Sequence, residues 1–275
     1  MFKADRPTLP SEIFWLTVLY VIVAAVVIYL LVPILSVIPL SFSNSQFLSL
    51  PVRSFTWRWY EELFNSDRWH LAVKNSFLIG ISAAAISTVL GTLAAIGLSL
   101  ADFRGKSVVL SAIMSPMIVP VIVYAAGLYF LFAPLGLTQT HAGIILAHAA
   151  MGAPFVIITV SAVLAGFDWQ LVRATQSLGA GPTIVVRRVM LPILAPGIIS
   201  GAIFAFSASF DEVVIVLLLG GPGQRTLPRE MFSSIRENIS PVIAASAVFM
   251  LATIILLLLT LEWLRRWTRT KSGVA

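Results

Sequence analysis

The sequence predicts an all-α membrane protein: one domain over 1–275 with six transmembrane helices. Three observations carry that fold class. Hydrophobic residues make up 59% of the 275 residues and charged ones only 11%, against roughly 25% charged in a soluble domain. The mean hydropathy is +0.97, more apolar surface than a soluble core can absorb. The ionisable residues also fall in clusters, separated by charge-free stretches of the roughly 20 residues a bilayer crossing needs. A soluble enzyme, a disordered chain and a disulfide scaffold are excluded. There is no cysteine, so thiol chemistry and Cys-based metal sites are excluded too.

The first helix, 14–40, fills the apolar run between Glu12 and Arg53, with Pro33 and Pro39 near its end. The run is far longer than the roughly 7–15-residue core of a cleavable signal, and no A-x-A follows, so it reads as an uncleaved span. The segment 53–70, RSFTWRWYEELFNSDRWH, is the longest polar insertion. Its Trp57, Trp59, Tyr60 and Trp69 suit a helix at the membrane boundary, either as an aromatic belt or as a contact for an external partner. The second helix, 75–101, lies between Lys74 and Asp102. The 61 residues between Lys106 and Asp168 must hold two spans, 108–132 and 142–165, divided by the turn residues APLGLTQT at 133–140. The fifth and sixth helices are expected at 193–219 and 242–264.

Orientation follows from the basic residues. Lys3, Arg6, Arg104, Lys106, Arg173, Arg187, Arg188, Arg265, Arg266, Arg269 and Lys271 fall on one side, eleven in all, against seven on the other: Arg53, Arg58, Arg68, Lys74, Arg225, Arg229 and Arg236. The positive-inside rule places both termini in the cytoplasm. Much of the net charge of +6 thereby reports topology, and no nucleic-acid role is expected.

The connection 166–192, GFDWQLVRATQSLGAGPTIVVRRVMLP, is too long and too structured for a linker. Asp168 can cap a helix over 169–178, with Leu171, Ala174 and Leu178 on one stripe. Gly179 stops it. Pro182 opens the next helix at its first position, and 183–190 continues as an amphipathic stretch. A short helix lying across the cytoplasmic face suits the docking of a soluble partner.

This segment resembles the EAA loop of ABC-importer permease subunits, which runs E-A-A, three residues, G, then about nine residues to I-x-L-P. Here Arg173, Ala174 and Thr175 stand at E-A-A, Gly179 at the glycine, and Val189, Leu191 and Pro192 at the end. Arg replaces the first Glu and Thr the second Ala. The stretches 67–80 and 206–245 are similar to the second permease subunit of spermidine/putrescine-type importers. The resemblance implies a type I importer permease fold whose 166–192 loop forms a coupling helix, with Arg173, Ala174, Thr175, Ser177, Leu178, Gly179, Ala180, Leu191 and Pro192 meeting an ATPase. The implied partners are a second permease subunit, two ATP-binding cassette subunits, a periplasmic substrate-binding protein and membrane lipids. ATP and Mg2+ are expected in the partner subunits, with no cofactor in this chain. The expected location is the bacterial inner membrane.

Asp211 and Glu212 fall within the expected fifth span. Asp211 is 18 residues past Ile193, about 27 Å along a helix, in the outer half of the membrane. An acid there should face a cavity or a partner. Asp211 shares a helical face with Ser200, Phe204 and Ser207, which makes these residues candidates for a substrate pathway that would attract a cation such as a polyamine. The competing reading is a structural network with Arg225 or Arg229. Glu212 falls on another face, with Gly197, Gly201, Ala205 and Ala208, a small-residue row that permits close packing. It reads first as a packing or polar-contact residue and second as part of the pathway. The segment 220–228, GGPGQRTLP, reads as an irregular external loop, either a surface turn or a gate.

Other signals are weak. His141 and His148 have no nearby carboxylate and make a poor metal site. No G-x-x-x-x-G-K-[ST] loop occurs, so the chain itself is not expected to hydrolyse ATP. Arg265, Arg266, Arg269 and Lys271, with Trp263 and Trp267, read as a snorkelling anchor. The function expected is half of an ATP-driven translocation pathway for a small polar solute, foremost putrescine or spermidine. Within the same class, 4-aminobutyrate, an aminophosphonate or an oxyanion remains open. A stand-alone secondary transporter often shows inverted repeats and broken helices at mid-membrane; the sequence indicates neither, and such a protein would not need the 166–192 docking helix. A passive scaffold would not need intramembrane acids.

Overall fold

The computed structural model describes residues 10–46, 48–237 and 239–271, with backbone alone at 10–12, 261 and 264–271. Lys3 and Arg6, and the side chains of Arg265, Arg266, Trp267, Arg269 and Lys271, lie outside the described residues. The helices are α1 (Pro10–Ser41), α2 (Arg58–Asn65), α3 (Asp67–Leu100), α4 (Lys106–Ile118), α5 (Val121–Phe132), α6 (His141–Leu164), α7 (Gln170–Ser177), α8 (Pro182–Val185), α9 (Leu191–Phe210), α10 (Val214–Leu219), α11 (Leu227–Glu237) and α12 (Val242–Lys271). Five helical stretches are long and apolar enough to cross a bilayer, and the bent pair α4–α5 makes up to six.

Two spans expected to be straight are broken. The third, expected as one helix over 108–132, is bent by 109° between α4 and α5. Pro120 has no N–H to continue the ladder, and it pushes Val119 into extended backbone with ψ 134°. The fifth, expected over 193–219, ends at Phe210, and the chain resumes as α10 only at Val214.

The centre of the bundle is α3, α6 and α9. Glycine lets them approach. A Cβ at Gly201 would lie 2.7 Å from the Val156 Cα, and one at Gly197 2.8 Å from the Thr159 carbonyl oxygen. The expected small-residue row is therefore the α9–α6 contact. Polar ties cross the same helices: Ser87 Oγ donates to the Ala149 carbonyl at 2.8 Å, and the buried His148 Nδ1 is hydrogen-bonded to Ser209 Oγ at 2.7 Å. A second apolar cluster joins Ala125 and Phe132 of α5 to Ile215, Val216 and Leu219 of α10. α1 packs against α12, and none of its apolar span is buried within the chain.

The end opposite the 166–192 loop is capped by α2 and α11. The boundary-helix expectation for 53–70 needs correcting here. Trp57 is exposed, but Trp59 and Trp69 are buried core residues, and the Trp59 indole donates to the Ser43 carbonyl. Glu230, fully buried, is paired with Arg68 and, at 3.3 Å, with Arg225. The 220–228 loop is pinned by the Asn75 amide, which donates to the Gly223 and Arg225 carbonyls at 2.9 Å each. The irregular stretch is shorter than expected, because Leu227 already begins α11.

Candidate functional site

Two regions hold the residues singled out in the sequence. The first is the 166–192 loop. Asp168 Oδ1 accepts from the Gln170 amide at 2.9 Å, which starts α7. Gly179, at φ 83°, ends it. Its amide donates to the Gln176 carbonyl at 2.9 Å and the Ala180 amide to the Thr175 carbonyl at 3.3 Å, the paired bonds of a Schellman stop. Nothing lies within 4 Å of a Cβ built on Gly179, so the glycine serves the backbone angle alone. Pro182 is the first residue of α8.

No residue of α7 is buried. Leu171 and Leu178 of the expected stripe are exposed, Leu178 at 88%, and so are Arg173 and Ala174. The chain itself leaves this apolar face uncovered. Val172 and Trp169 on the other side pack against the core. Thr175 and Ser177 turn their hydroxyls back onto the Leu171 and Arg173 carbonyls, at 2.6 and 3.0 Å. Leu191 and Pro192 are exposed at the start of α9.

The second region is a groove of about 440 Å³ between α4, α6 and α9. Phe204, Ser207, Asp211 and Glu212 all line it, together with Met117 and Phe155. Ser200 does not: it is buried, with its hydroxyl on the Pro196 carbonyl. Nor do the two acids face apart as a continuous helix would require. The helix stops before them, and both reach the groove.

The break gives these neighbours opposite electrostatics. Asp211 caps the C-terminus of α9, where unpaired carbonyls already make the potential negative. Glu212 precedes the N-terminus of α10, and its Oε1 accepts from the Val214 and Ile215 amides at 2.6 and 3.0 Å. Glu212 therefore has a structural partner. Asp211 forms no ion pair among the described residues. Arg225 pairs with Glu230, and Arg229 donates to the Gly221 carbonyl at 2.7 Å, so the expected structural network with those arginines is not formed. Phe155 and Phe204 stack across the groove at 6.5 Å, placing an apolar wall beside the exposed carboxylate. A larger cleft, about 580 Å³ at the capped end, is lined by Arg58 and Arg68 as well as Glu62 and Glu237. Its opposed charges cancel.

Met117, Phe155 and the rest of the α4–α6 wall did not emerge from the sequence. The available signal was Pro120, which ends α4 so that Pro116 and Met117 line the groove. His141 Nε2 is hydrogen-bonded to Asn75 Oδ1 at 3.0 Å, and among the described residues no three potential metal ligands converge.

Comparison with known proteins decides the family. A family model described as binding-protein-dependent transport system inner membrane component matches residues 87–271. The chain belongs to that family. It is 34% identical to the spermidine/putrescine transport system permease protein PotC of Haemophilus influenzae, over 81% of this chain and 86% of that one. It is 33% identical to the putrescine transport system permease protein PotI of Escherichia coli K12, over 82% and 83%. Among solved structures, a bacterial ABC transporter that imports the acidic polysaccharide alginate superposes with a TM-score of 0.70 at 16% identity, covering 96% of this chain and 99% of that one. The fold is thus that of a type I ABC-importer permease, and the chain is a multi-pass transport subunit of the inner membrane.

Proposed function

We propose that this permease forms half of the pathway of an ATP-driven polyamine importer, with putrescine or spermidine as its cargo. The observation that carries the cargo is the uncompensated Asp211 carboxylate at the C-terminus of α9, facing the Phe155–Phe204 wall. A charge at this depth is costly without a counter-charge. An alkyl-ammonium supplies it, while its methylenes lie on the rings and a ring face attracts the cation. The polyamine relatives support the same class, and an oxyanion would be repelled. Glu212, already capping α10, adds negative potential without being the main contact.

The partner scheme rests on the exposed stripe of α7. Two ATPase subunits, which hold ATP and Mg2+, take the coupling loops of this chain and of a second permease. Arg173, Ala174, Leu178, Gly179 and Ala180 lie at that contact, and Thr175 and Ser177 hold the helix in shape beneath it. Leu191 and Pro192 transmit its motion to α9. A periplasmic binding protein delivers the cargo at the α2–α11 end. Both termini lie in the cytoplasm, on the side of the denser positive charge. The uncovered α1 lies against lipid and the second permease.

The test is uptake of labelled putrescine and spermidine into proteoliposomes holding this chain, the second permease and the ATPase, with binding protein outside. Uptake that requires all four components supports the proposal. Transport by this chain alone, or ATPase stimulation only by a loaded binding protein carrying an anion, refutes it.

A further inference from the structure

At the loop end of the bundle, where α3 and α6 finish and α4 begins, a crevice of about 420 Å³ opens. All three helices turn there, so it lies at a membrane–water boundary. Its lining divides by chemistry. Leu98, Leu110 and Leu164 are apolar, Ser99 carries a hydroxyl, Lys106 supplies a cation, and Trp169 supplies an indole of the kind that settles at headgroup level. Lys106 Nζ donates to the Ala101 carbonyl at 2.9 Å, which leaves two of its three donors. Among the described residues no carboxylate pairs with it.

We propose that this crevice holds the headgroup of an anionic phospholipid from the leaflet that meets the coupling loop. The phosphate sits on Lys106, and the first methylenes of an acyl chain lie on Leu98, Leu110 and Leu164. A basic pocket between membrane helices at a polar boundary has the charge complement of such a headgroup. A protein partner fits less well, because the uncovered docking face is the Leu171–Leu178 stripe of α7. The lipid would touch Trp169, which directly precedes α7 and packs edge-on against the buried Phe167 at 5.1 Å. Bound lipid thereby fixes where the coupling helix begins.

The assembled complex in phosphatidylcholine nanodiscs, with a trace of photoactivatable phosphatidylglycerol, tests this. Label should map to 98–110 and 161–169 and be displaced by excess phosphatidylglycerol. It should fall about fivefold in Lys106→Gln, the worth of one cation at a lipid surface, and persist in Lys106→Arg. Equal labelling by a phosphatidylcholine analogue overturns the proposal, as does unchanged labelling in Lys106→Gln. Displacement by free glycerol phosphate overturns it in favour of a soluble anion, and an unlabelled crevice in the complex overturns it outright. Should Lys106→Gln not assemble, the competition series on the unaltered complex decides alone.

Discussion

Adjacent carboxylates in one groove should respond to mutation with opposite signs. Glu212 holds two amide hydrogens at the start of α10, and α10 buries Ile215, Val216 and Leu219. Removing a cap of this kind costs about 1 kcal/mol, within a range of roughly 0.5–2. For a domain of this size that lowers the melting temperature by about 2–4 °C. Asp211 stands at the negative end of α9, where a carboxylate is unfavourable by about 0.3–1 kcal/mol. Asp211→Asn should therefore leave stability unchanged or raise it slightly, whereas Glu212→Ala lowers it.

Transport should invert that order. Loss of a charge-assisted contact worth about 1.5–3 kcal/mol reduces polyamine uptake efficiency roughly ten- to a hundredfold in Asp211→Asn. Glu212→Ala should transport in proportion to the complex that remains folded. Fluorescence-detected gel filtration after heating gives the first quantity and proteoliposome uptake the second. If Asp211→Asn destabilises the complex as much as Glu212→Ala, Asp211 is a structural residue. If its uptake is unchanged, the groove is not the pathway.

Two further outcomes follow from packing. Glu230→Ala removes a fully buried carboxylate that joins Arg68 to Arg225. Because both arginines are partly exposed and water can solvate them, the loss is expected at about 2 kcal/mol, the range of a charge-assisted bond, and should show as a lower melting temperature that Glu230→Gln partly restores. Gly201→Val places a Cβ 2.5 Å from Thr159 Oγ1 and 2.7 Å from the Val156 Cα. The overpacking should cost about 1–3 kcal/mol and appear as reduced yield of assembled complex, whereas Gly127→Ala, with nothing within 4 Å, should not.

Much of the membrane architecture was legible because it depends on composition along the chain. Charge-free runs between Lys74 and Asp102 or after Pro192 need no tertiary information to be recognised as spans. The 166–192 loop was legible because its stops are local: Asp168, Gly179 and Pro182 each act within a few residues. What stayed hidden depends on where a helix ends inside an apolar run. A helical wheel extended through Asp211 and Glu212 puts them on different faces, and because apolar residues resume at Val213 the two acids read as charges within one span rather than as the end of a helix. The tryptophans of 53–70 misled for a related reason. Composition cannot tell an indole facing headgroups from one, like Trp59, that covers the loop leading into its own helix.

The two breaks have one physical explanation. Irregular backbone at membrane depth leaves polar groups that lipid cannot satisfy, so it is tolerated only where protein or a watered cavity covers it. The end of α4 and the 211–213 turn line the same groove. Beyond them, α5 and α10 pack against one another in their own apolar cluster with Ile79 and Ile144, apart from the larger α3–α6–α9 core. Each interruption is thus anchored on its far side by buried side chains and opens on its near side to the groove. The helix breaks and the carboxylate are consistent with the proposed path for a cation, the breaks as its walls and Asp211 as its counter-charge.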